Sequence, residues 1–453
     1  MPRENADKGN RAICIMTPAY HEPMSLYWWA RPHAFTFAFM TPLFLICAAL
    51  PDDMFVNWKH AQNFMDAEVV ALGLLGLSAF GLSAWLVPAV GRRRYRSYGT
   101  GKRYYIEPGY YRATLYSVLG ICLAAYVLLF APAIMSPGRT LAMIGRGTEI
   151  RETLNQTPGI TSLVNVGAIY VTLLLLQPRL TGLGLSRFDR IVCGVFLAIV
   201  AMRVFLWSER AALVEVVIPV AIVGLSDARR PRLVMVMFPI FAMIALLVFF
   251  GVTEYFRSWS AHYSETGISL TEFVTTRLFG YYATALNNGA VITTSFETPY
   301  VPYSLAQWFF AFPGVSDLSI SAGWDVERRA ATFFNYTNPE FNNPSGLFAP
   351  FYDVGPWAGT VVWVALGLMT GRLYAGFVSG QLLPLILYPS WMTGLYEVLR
   401  VFYWGSSRYF PVLVFVPIVY WVLARGAVRT PARRRVRLVR TPIQQGLSQR
   451  SGH

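Results

Sequence analysis

At 453 residues the chain is 55% hydrophobic and only 14% charged, which is too apolar and too sparsely charged for an ordinary soluble protein. A net charge of +14 invites a nucleic-acid reading. The basic residues, however, gather in a few connecting segments, a distribution that orients a chain in a membrane, so no nucleic-acid partner is expected. Cys14, Cys47, Cys122 and Cys193 have neither paired nor metal-ligand spacing, so neither a disulfide framework nor a zinc site is expected.

Residues 1–33 carry charge of both signs, and the first apolar run has no small-residue cleavage pattern after it, so no cleavable leader is expected. Apolar runs then recur at 34–50, 67–90, 113–135, 160–177, 190–207, 211–225, 233–252, 346–370, 376–397 and 409–424. Each approaches the length that crosses a hydrocarbon core of roughly 30 Å as a helix. These runs predict an all-α polytopic integral membrane protein with about ten transmembrane helices and one large, partly helical outer loop.

Charge sorts the connections into two classes. Segment 91–112 has seven basic residues and one acid, and 177–190, 226–232 and the tail from Arg425 are basic too. Segment 51–68 has four acids against one lysine, and 253–345 has eight acids against four arginines. Basic connections stay in the cytoplasm. For 177–190 and 226–232 to share that side, the chain must cross twice between them and turn at Ser208-Glu209-Arg210. The resulting organisation is a cytoplasmic segment 1–33, seven spans in 34–252, an outer segment 253–345, three spans in 346–424 and a basic cytoplasmic tail 425–453.

Several polar groups stand out against this background. Arg210 opens the span after the short outer turn, and Arg203 lies seven residues before it. A charge at mid-depth needs a partner or water, because lipid exposure there costs roughly 2.5–3.5 kcal/mol or more. An interfacial Glu209–Arg210 pair is the bland reading; an anion-binding arginine in an outward cavity is the functional one. Asp353 follows the polar run Asn342, Asn343 and Ser345 and falls inside an apolar stretch, where a carboxylate is a functional candidate by default. Glu215 also interrupts an apolar run, with local pairing its only evident role.

In the outer segment, Arg277, Tyr281, Tyr282, Asn287 and Asn288 lie on an aromatic stretch within 268–295. Aromatic faces stack on the CH faces of sugars and amides bond their hydroxyls. Asp325, Glu327, Arg328 and Arg329 form a cluster, and Glu397, Arg400 and Arg408 flank the last span. Arginines therefore recur in separate outer connections, where adjacent guanidinium groups suit a diphosphate. No Walker loop, nucleotide-binding glycine fingerprint or HExxH is present, and His21, His33, His60, His262 and His453 have no ligand spacing, so no metal and no cofactor are expected.

Three pieces of the chain resemble the O-antigen polymerase (Wzy-type) group of the polymerase/ligase superfamily of bacterial surface polysaccharides. They are the outer turn Ser208-Glu209-Arg210, the Tyr281, Tyr282 and Asn287 stretch, and the segment from Asn343 through Tyr352 to Gly359. The resemblance covers roughly residues 30–425. Related ligases carry a histidine before the late span, where this chain has Asn342 or Asn343, a departure that favours polymerase over ligase.

The resemblance implies a metal-independent glycosyltransferase of the bacterial inner membrane, with both termini cytoplasmic and its active site facing the periplasm. It would polymerise undecaprenyl-diphosphate-linked oligosaccharide repeat units for O-antigen or exopolysaccharide, among bilayer lipids and with a chain-length regulator as a possible partner. In that scheme Arg210 is catalytic, and Glu209, Asp353 and Glu397 are candidate general bases in no secure order. Arg203, Arg210, Arg277, Arg328, Arg329 and Arg408 would hold the diphosphate, and Tyr281, Asn287, Asn343 and Tyr352 the sugars. Competing readings are an O-antigen ligase, a polyprenyl-phosphate-dependent transferase using Asp52 and Asp53, and a lipid-linked sugar transporter. The absence of visible internal symmetry weighs against the last.

Overall fold

A computed structural model describes residues 27–52, 55, 62–98, 103–143, 153–154, 161–207, 211–226, 233–255, 269–311, 314–326 and 343–430. The described chain is mostly helical, and its principal helices are α1 (Pro32–Ala48), α2 (Ala67–Tyr98), α3 (Pro108–Met135), α4 (Ser162–Thr181), α5 (Arg187–Trp207), α6 (Ala211–Leu225), α7 (Phe238–Glu254), α8 (Leu270–Ser295), α9 (Ala349–Val378), α10 (Leu382–Glu397) and α11 (Phe410–Arg425). Every apolar run read from the sequence is a helix. Four segments among the described residues are long and apolar enough to cross a membrane: Ala67–Ala89, Pro108–Met135, Ser162–Thr181 and Ala349–Val378. Helices such as α6 and α11, with 15 and 16 residues, rise only about 22–24 Å at 1.5 Å per residue.

The helices α2 and α9 run side by side in the same direction, and glycine makes that contact possible. A Cβ at Gly367 would lie 2.0 Å from Ser83 Oγ and 2.4 Å from the Phe80 carbonyl, and one at Gly371 would lie 2.5 Å from the Ala84 carbonyl. Gly367 and Gly371 are four residues apart, so they share one face of α9 and let the two backbones touch. A second group assembles around α3. Its start meets the end of α4 through the Tyr111 hydroxyl, which donates to the Leu173 carbonyl, while Cys122 Sγ reaches the Val164 carbonyl (3.3 Å), so α3 and α4 are antiparallel. Tyr116 donates to Asp189 at 2.5 Å near the start of α5, and Tyr126 packs edge-on against Phe196 further along, so α3 and α5 are parallel. Ser186 and Asp189 cap α5 reciprocally: the Ser186 N–H donates to Asp189 Oδ2 (2.7 Å) and the Asp189 N–H to Ser186 Oγ (3.1 Å).

Two strands, β1 (Arg103–Ile106) and β2 (Ala427–Thr430), pair antiparallel with Arg103 opposite Thr430 and Ile106 opposite Ala427. This ribbon ties the start of α3 to the end of α11, and the Tyr110 hydroxyl adds a 3.0 Å bond to the Val422 carbonyl. Beside it, Glu107 caps α3 by accepting from the N–H groups of Gly109 (3.0 Å) and Tyr110 (2.8 Å), which hold its carboxyl below the usual range. The N-terminal turn is fastened as well. The indoles of Trp28 and Trp29 donate to the carbonyls of Val236 and Met235, and the hydroxyls of Tyr388 and Tyr396 donate to those of Ala30 and Trp29.

Residues 268–295, expected as a helical stretch of a partly helical loop, form α8, and the burial of a continuous run from Ala283 to Ile292 was not expected. Ser269 caps its start by accepting from the Glu272 N–H (3.2 Å). Near its end the Ala285 carbonyl accepts from the Ser345 N–H (2.8 Å) and Gly289 lies against Phe348. The helix is packed into the bundle, because its C-terminal half carries small and apolar residues on every side. Helix α9 is also interrupted: Gly355 has φ 83° and ψ 169°, a left-handed-side conformation that glycine alone adopts without strain, and Pro356 restarts the helix. No such break was expected.

Between α10 and α11 the chain turns inward instead of looping outside. Val398, Leu399, Phe402, Tyr403, Trp404, Ser406 and Tyr409 are all buried. Trp404 stacks on Trp391 with centroids 5.3 Å apart, and its indole donates to the Trp391 carbonyl at 2.9 Å.

The α2–α9 seam is the most sensitive packing element. Gly371→Leu is expected to cost about 1–3 kcal/mol or more through overpacking, seen as a lower melting temperature of the purified protein in detergent. An equal loss from Gly120→Leu, a helical position on α3 with open space around it, would argue against the seam.

Candidate functional site

A buried polar region centres on Glu215, in the second turn of α6 and 5% exposed. Its Oε1 accepts from the Tyr403 hydroxyl (2.6 Å) and from Arg408 Nε (3.1 Å). Burial first, and the Glu215 charge second, push the Tyr403 hydroxyl well above its ordinary pKa, so it stays protonated and remains a donor. Asn165, at the start of α4, donates to the Arg408 carbonyl at 2.7 Å. The backbone and the side chain of Arg408 are thus held by two different helices. Arg203, on α5 and 5% exposed, lies with its guanidinium carbon 5.9 Å from the Tyr126 ring centre, and Tyr126 is within electrostatic reach of both Arg203 and Glu215.

Beside Glu215 is a narrow cavity lined by Asn165, Ala168, Ser390, Thr393, Tyr403, Tyr409 and Val412, admitting water-sized groups but not a whole sugar ring. Four of these residues bring a buried polar atom with no hydrogen-bond partner among the described residues: Asn165 Oδ1, Ser390 Oγ, Thr393 Oγ1 and Tyr409 OH. Leaving one such atom dry costs about 1–3 kcal/mol, so four around one space are a strong argument that the space holds water or a polar ligand group. The set combines an acceptor, three hydroxyls and a carboxylate. That chemistry suits the hydroxyl of an incoming molecule.

A second cluster forms where α9 breaks. Asp353 is 1% exposed, and its carboxylate accepts from the Ser304 N–H (2.6 Å) and the Ser304 hydroxyl (3.2 Å). Tyr352 is buried beside it, its hydroxyl 3.3 Å from Ser304 Oγ. Ser304 in turn touches the inward segment so closely that a Cβ at Gly405 would lie 1.7 Å from its carbonyl. Asp353 therefore acts through Ser304 on the strand of chain that carries Tyr403 and Arg408, and its carboxylate is occupied in doing so.

The remaining residues singled out in the sequence fall as follows. Glu397 pairs with Arg400 at 2.8 Å, and the carboxylate raises the guanidinium pKa above its already high value. Arg277 sits on α8 with its guanidinium carbon 5.3 Å from the Phe273 ring centre, and Tyr281 is half-buried one turn further on. Asn287 was expected to meet sugars, but both ends of its amide are taken by the connection that precedes α2. Its Oδ1 accepts from the Phe64 N–H (2.7 Å), and its Nδ2 donates to the Gln62 carbonyl (2.8 Å). Asn343 is exposed, and Glu209, Arg210, Arg328, Arg329 and Asn342 lie outside the described residues.

Of the six arginines considered for a diphosphate, three are described: Arg408 bonds Glu215, Arg203 lies over the Tyr126 ring within electrostatic reach of the same tyrosine as Glu215, and Arg277 is on α8. Glu215, left with only local pairing in the sequence reading, is bonded to residues 188 and 193 positions away. Its signal was present in the sequence as a lone carboxylate in an apolar helix. Asn165, Ser390, Thr393, Tyr403 and Tyr409 carried no such signal.

The chain matches no family model, and no curated protein and no solved structure is detectably similar to it.

A double-mutant cycle tests the centre of the site. Glu215→Ala and Arg408→Ala are each expected to lower the melting temperature in detergent, with a coupling of about 0.5–3 kcal/mol between them. Strict additivity would mean that the pair contributes nothing to folding.

Proposed function

We propose that this protein is a polymerase of lipid-diphosphate-linked oligosaccharide repeat units in a bacterial inner membrane, acting at the periplasmic face and needing neither metal nor nucleotide. The observation that carries the reading is the buried Glu215–Arg408 pair, with Arg203 nearby, beside a cavity of unsatisfied hydroxyl and amide groups. It supplies cations for a leaving diphosphate and a carboxylate for an acceptor hydroxyl within one site.

The helix directions support the ten-crossing organisation with both termini on one side. The α2–α9 pair is parallel, α3 and α5 are parallel, and α3 and α4 are antiparallel, as alternating crossings require. Arg408 immediately precedes α11 and the β-ribbon immediately follows it, so the cavity and the ribbon are at opposite ends of that helix. The basic residues flanking the ribbon favour the cytoplasm, and the cavity then faces the periplasm.

In the proposed reaction the acceptor hydroxyl enters the cavity beside Asn165, Ser390, Thr393 and Tyr409. Its oxygen bonds to the anomeric carbon of the donor sugar while the bond from that carbon to the diphosphate oxygen breaks. The diphosphate leaves with the electron pair, and the proton passes to a carboxylate. Glu215 is the carboxylate closest to this chemistry. Glu209 and Glu397 remain alternatives, while Asp353 is better suited to holding the inward segment through Ser304. Arg408, with Arg203 and Arg210, offsets the charge on the leaving group. As Arg408 turns toward the diphosphate it releases Glu215 Oε1, which is then open to accept the proton. A chain-length regulator is the protein partner this reading implies.

The break at Gly355 favours one other reading, a lipid-linked sugar transporter, since interrupted helices build substrate sites in such proteins. The two separate in cells. Loss of a transporter strands lipid-linked units on the inner leaflet, whereas loss of a polymerase leaves single units that are transferred but not extended.

Deleting the gene is expected to collapse a polysaccharide ladder to single-repeat product. Glu215→Gln and Arg408→Ala, at unchanged protein levels, are expected to reduce polymer on the order of 100-fold or more, as loss of a general base or of a charge-stabilising group does. A ladder that survives deletion would sink the polymerase reading.

A further inference from the structure

We propose that the Glu215 cavity takes water as a nucleophile when no acceptor sugar is docked, so that the protein also hydrolyses lipid-diphosphate-linked oligosaccharide. This second activity rests on the reading of the cavity as the place where a hydroxyl meets the anomeric carbon.

Size gives the first argument. The cavity admits water-sized groups but not a sugar ring, so an acceptor presents only its hydroxyl there and the ring stays outside. A water molecule is no larger than that hydroxyl, and size alone does not separate the two. Polarity gives the second argument. Asn165 Oδ1, Ser390 Oγ, Thr393 Oγ1 and Tyr409 OH are buried and have no hydrogen-bond partner among the described residues. A buried water is held by about two to four polar partners, and this cavity offers four of them beside a carboxylate. The amide oxygen accepts from such a molecule, and each hydroxyl either donates or accepts.

Glu215 lines the same space and can take a proton from water. Its two hydrogen bonds, from the Tyr403 hydroxyl and Arg408 Nε, both go to Oε1, and Oε2 has no hydrogen-bond partner among the described residues. Oε2 can therefore accept from water while Tyr403 and Arg408 stay in place. In the hydrolytic step the water oxygen bonds to the anomeric carbon while the bond from that carbon to the diphosphate oxygen breaks. The diphosphate leaves with the electron pair. One water proton passes to Glu215 and then to solvent, and the other stays on the new hemiacetal hydroxyl. The products are a free reducing oligosaccharide and a lipid diphosphate, and nothing but water is consumed.

The test uses the full-length protein in detergent and the host's undecaprenyl-diphosphate-linked repeat unit, labelled in its sugars, in water enriched in heavy oxygen. Polymerisation needs two substrate molecules and hydrolysis needs one. Below saturation, tenfold dilution of substrate is therefore expected to raise the ratio of free oligosaccharide to polymer by about tenfold. The released lipid diphosphate is expected to carry no heavy oxygen, because the bond to carbon is the one that breaks. Glu215→Gln is expected to lower hydrolysis on the order of 100-fold or more. Should that variant fail to fold, Thr393→Val keeps the side-chain shape and removes a hydroxyl without a partner in the described fold, a change the fold tolerates. It is expected to lower hydrolysis about 2–10-fold, the worth of one hydrogen bond. Polymer at every dilution with no free oligosaccharide overturns the hydrolysis and leaves the polymerase reading standing. Free oligosaccharide with no polymer supports the hydrolysis and overturns the polymerase reading, and the absence of both products overturns both. Heavy oxygen in the diphosphate, or hydrolysis unchanged in either folded variant, also overturns the proposal.

Discussion

Placing the backbone of residues 398–409 among apolar helices imposes a condition that the surrounding residues are built to meet. Buried peptide groups must be paired, since no water is at hand to satisfy them. The segment meets this partly within itself: the N–H groups of Arg400 and Val401 return to the Glu397 carbonyl, Ser406 to Tyr403, and Tyr409 to Ser406. The carbonyl of Arg408 goes to Asn165 on a distant helix. Three glycines supply the clearance. Gly346 admits the Val401–Phe402 peptide, Gly394 admits the Trp404 indole, and Gly405 admits the Ser304 carbonyl. Once the segment is seated, Tyr403 and Arg408 have fixed positions, and Glu215 has its partners.

This arrangement distinguishes two carboxylates that look alike in the sequence. Asp353 and Glu215 each interrupt an apolar stretch, and each is almost completely buried. Asp353 accepts two hydrogen bonds from Ser304, one from its N–H and one from its hydroxyl, and both hold that turn in place. Glu215 instead faces a cavity, and its charge is balanced by an arginine whose side chain is 34% exposed. A buried carboxylate with saturated local bonds is a structural anchor. One whose counterion can reach solvent can change partners, and that capacity is what charge-transfer chemistry needs.

How far the sequence could be read follows from the range of the interactions involved. Hydropathy reports a local property, so the apolar runs are visible in the sequence as helices. Helix α8 was harder: its stretch alternates threonine, tyrosine and asparagine with small apolar residues, and only contact with Ser345, Phe348 and the segment around Gln62–Phe64 makes burial favourable. The inward segment was legible in no local feature. Its aromatic residues resemble an interfacial belt, and two of the three glycines that admit it, Gly346 and Gly394, lie on other elements. The cavity suffers the same limit, because single serine, threonine and asparagine residues in apolar helices are common, and five elements must meet before they surround one space.

The two ends of α11 show how one helix can link separate electrostatic demands. At its start, Arg408 is held by the buried carboxylate of Glu215; at its end, the Arg425 guanidinium carbon lies 3.4 Å from the centre of the Trp421 ring. The first contact balances one buried charge with another, so neither group can be removed without leaving its partner unpaired in an apolar surrounding. The second needs no opposite charge, because an aromatic face attracts a cation while the guanidinium stays in contact with solvent. Each arginine is therefore held in the way that its depth in the bundle demands: by a counterion where water is scarce, and by an indole where it is not.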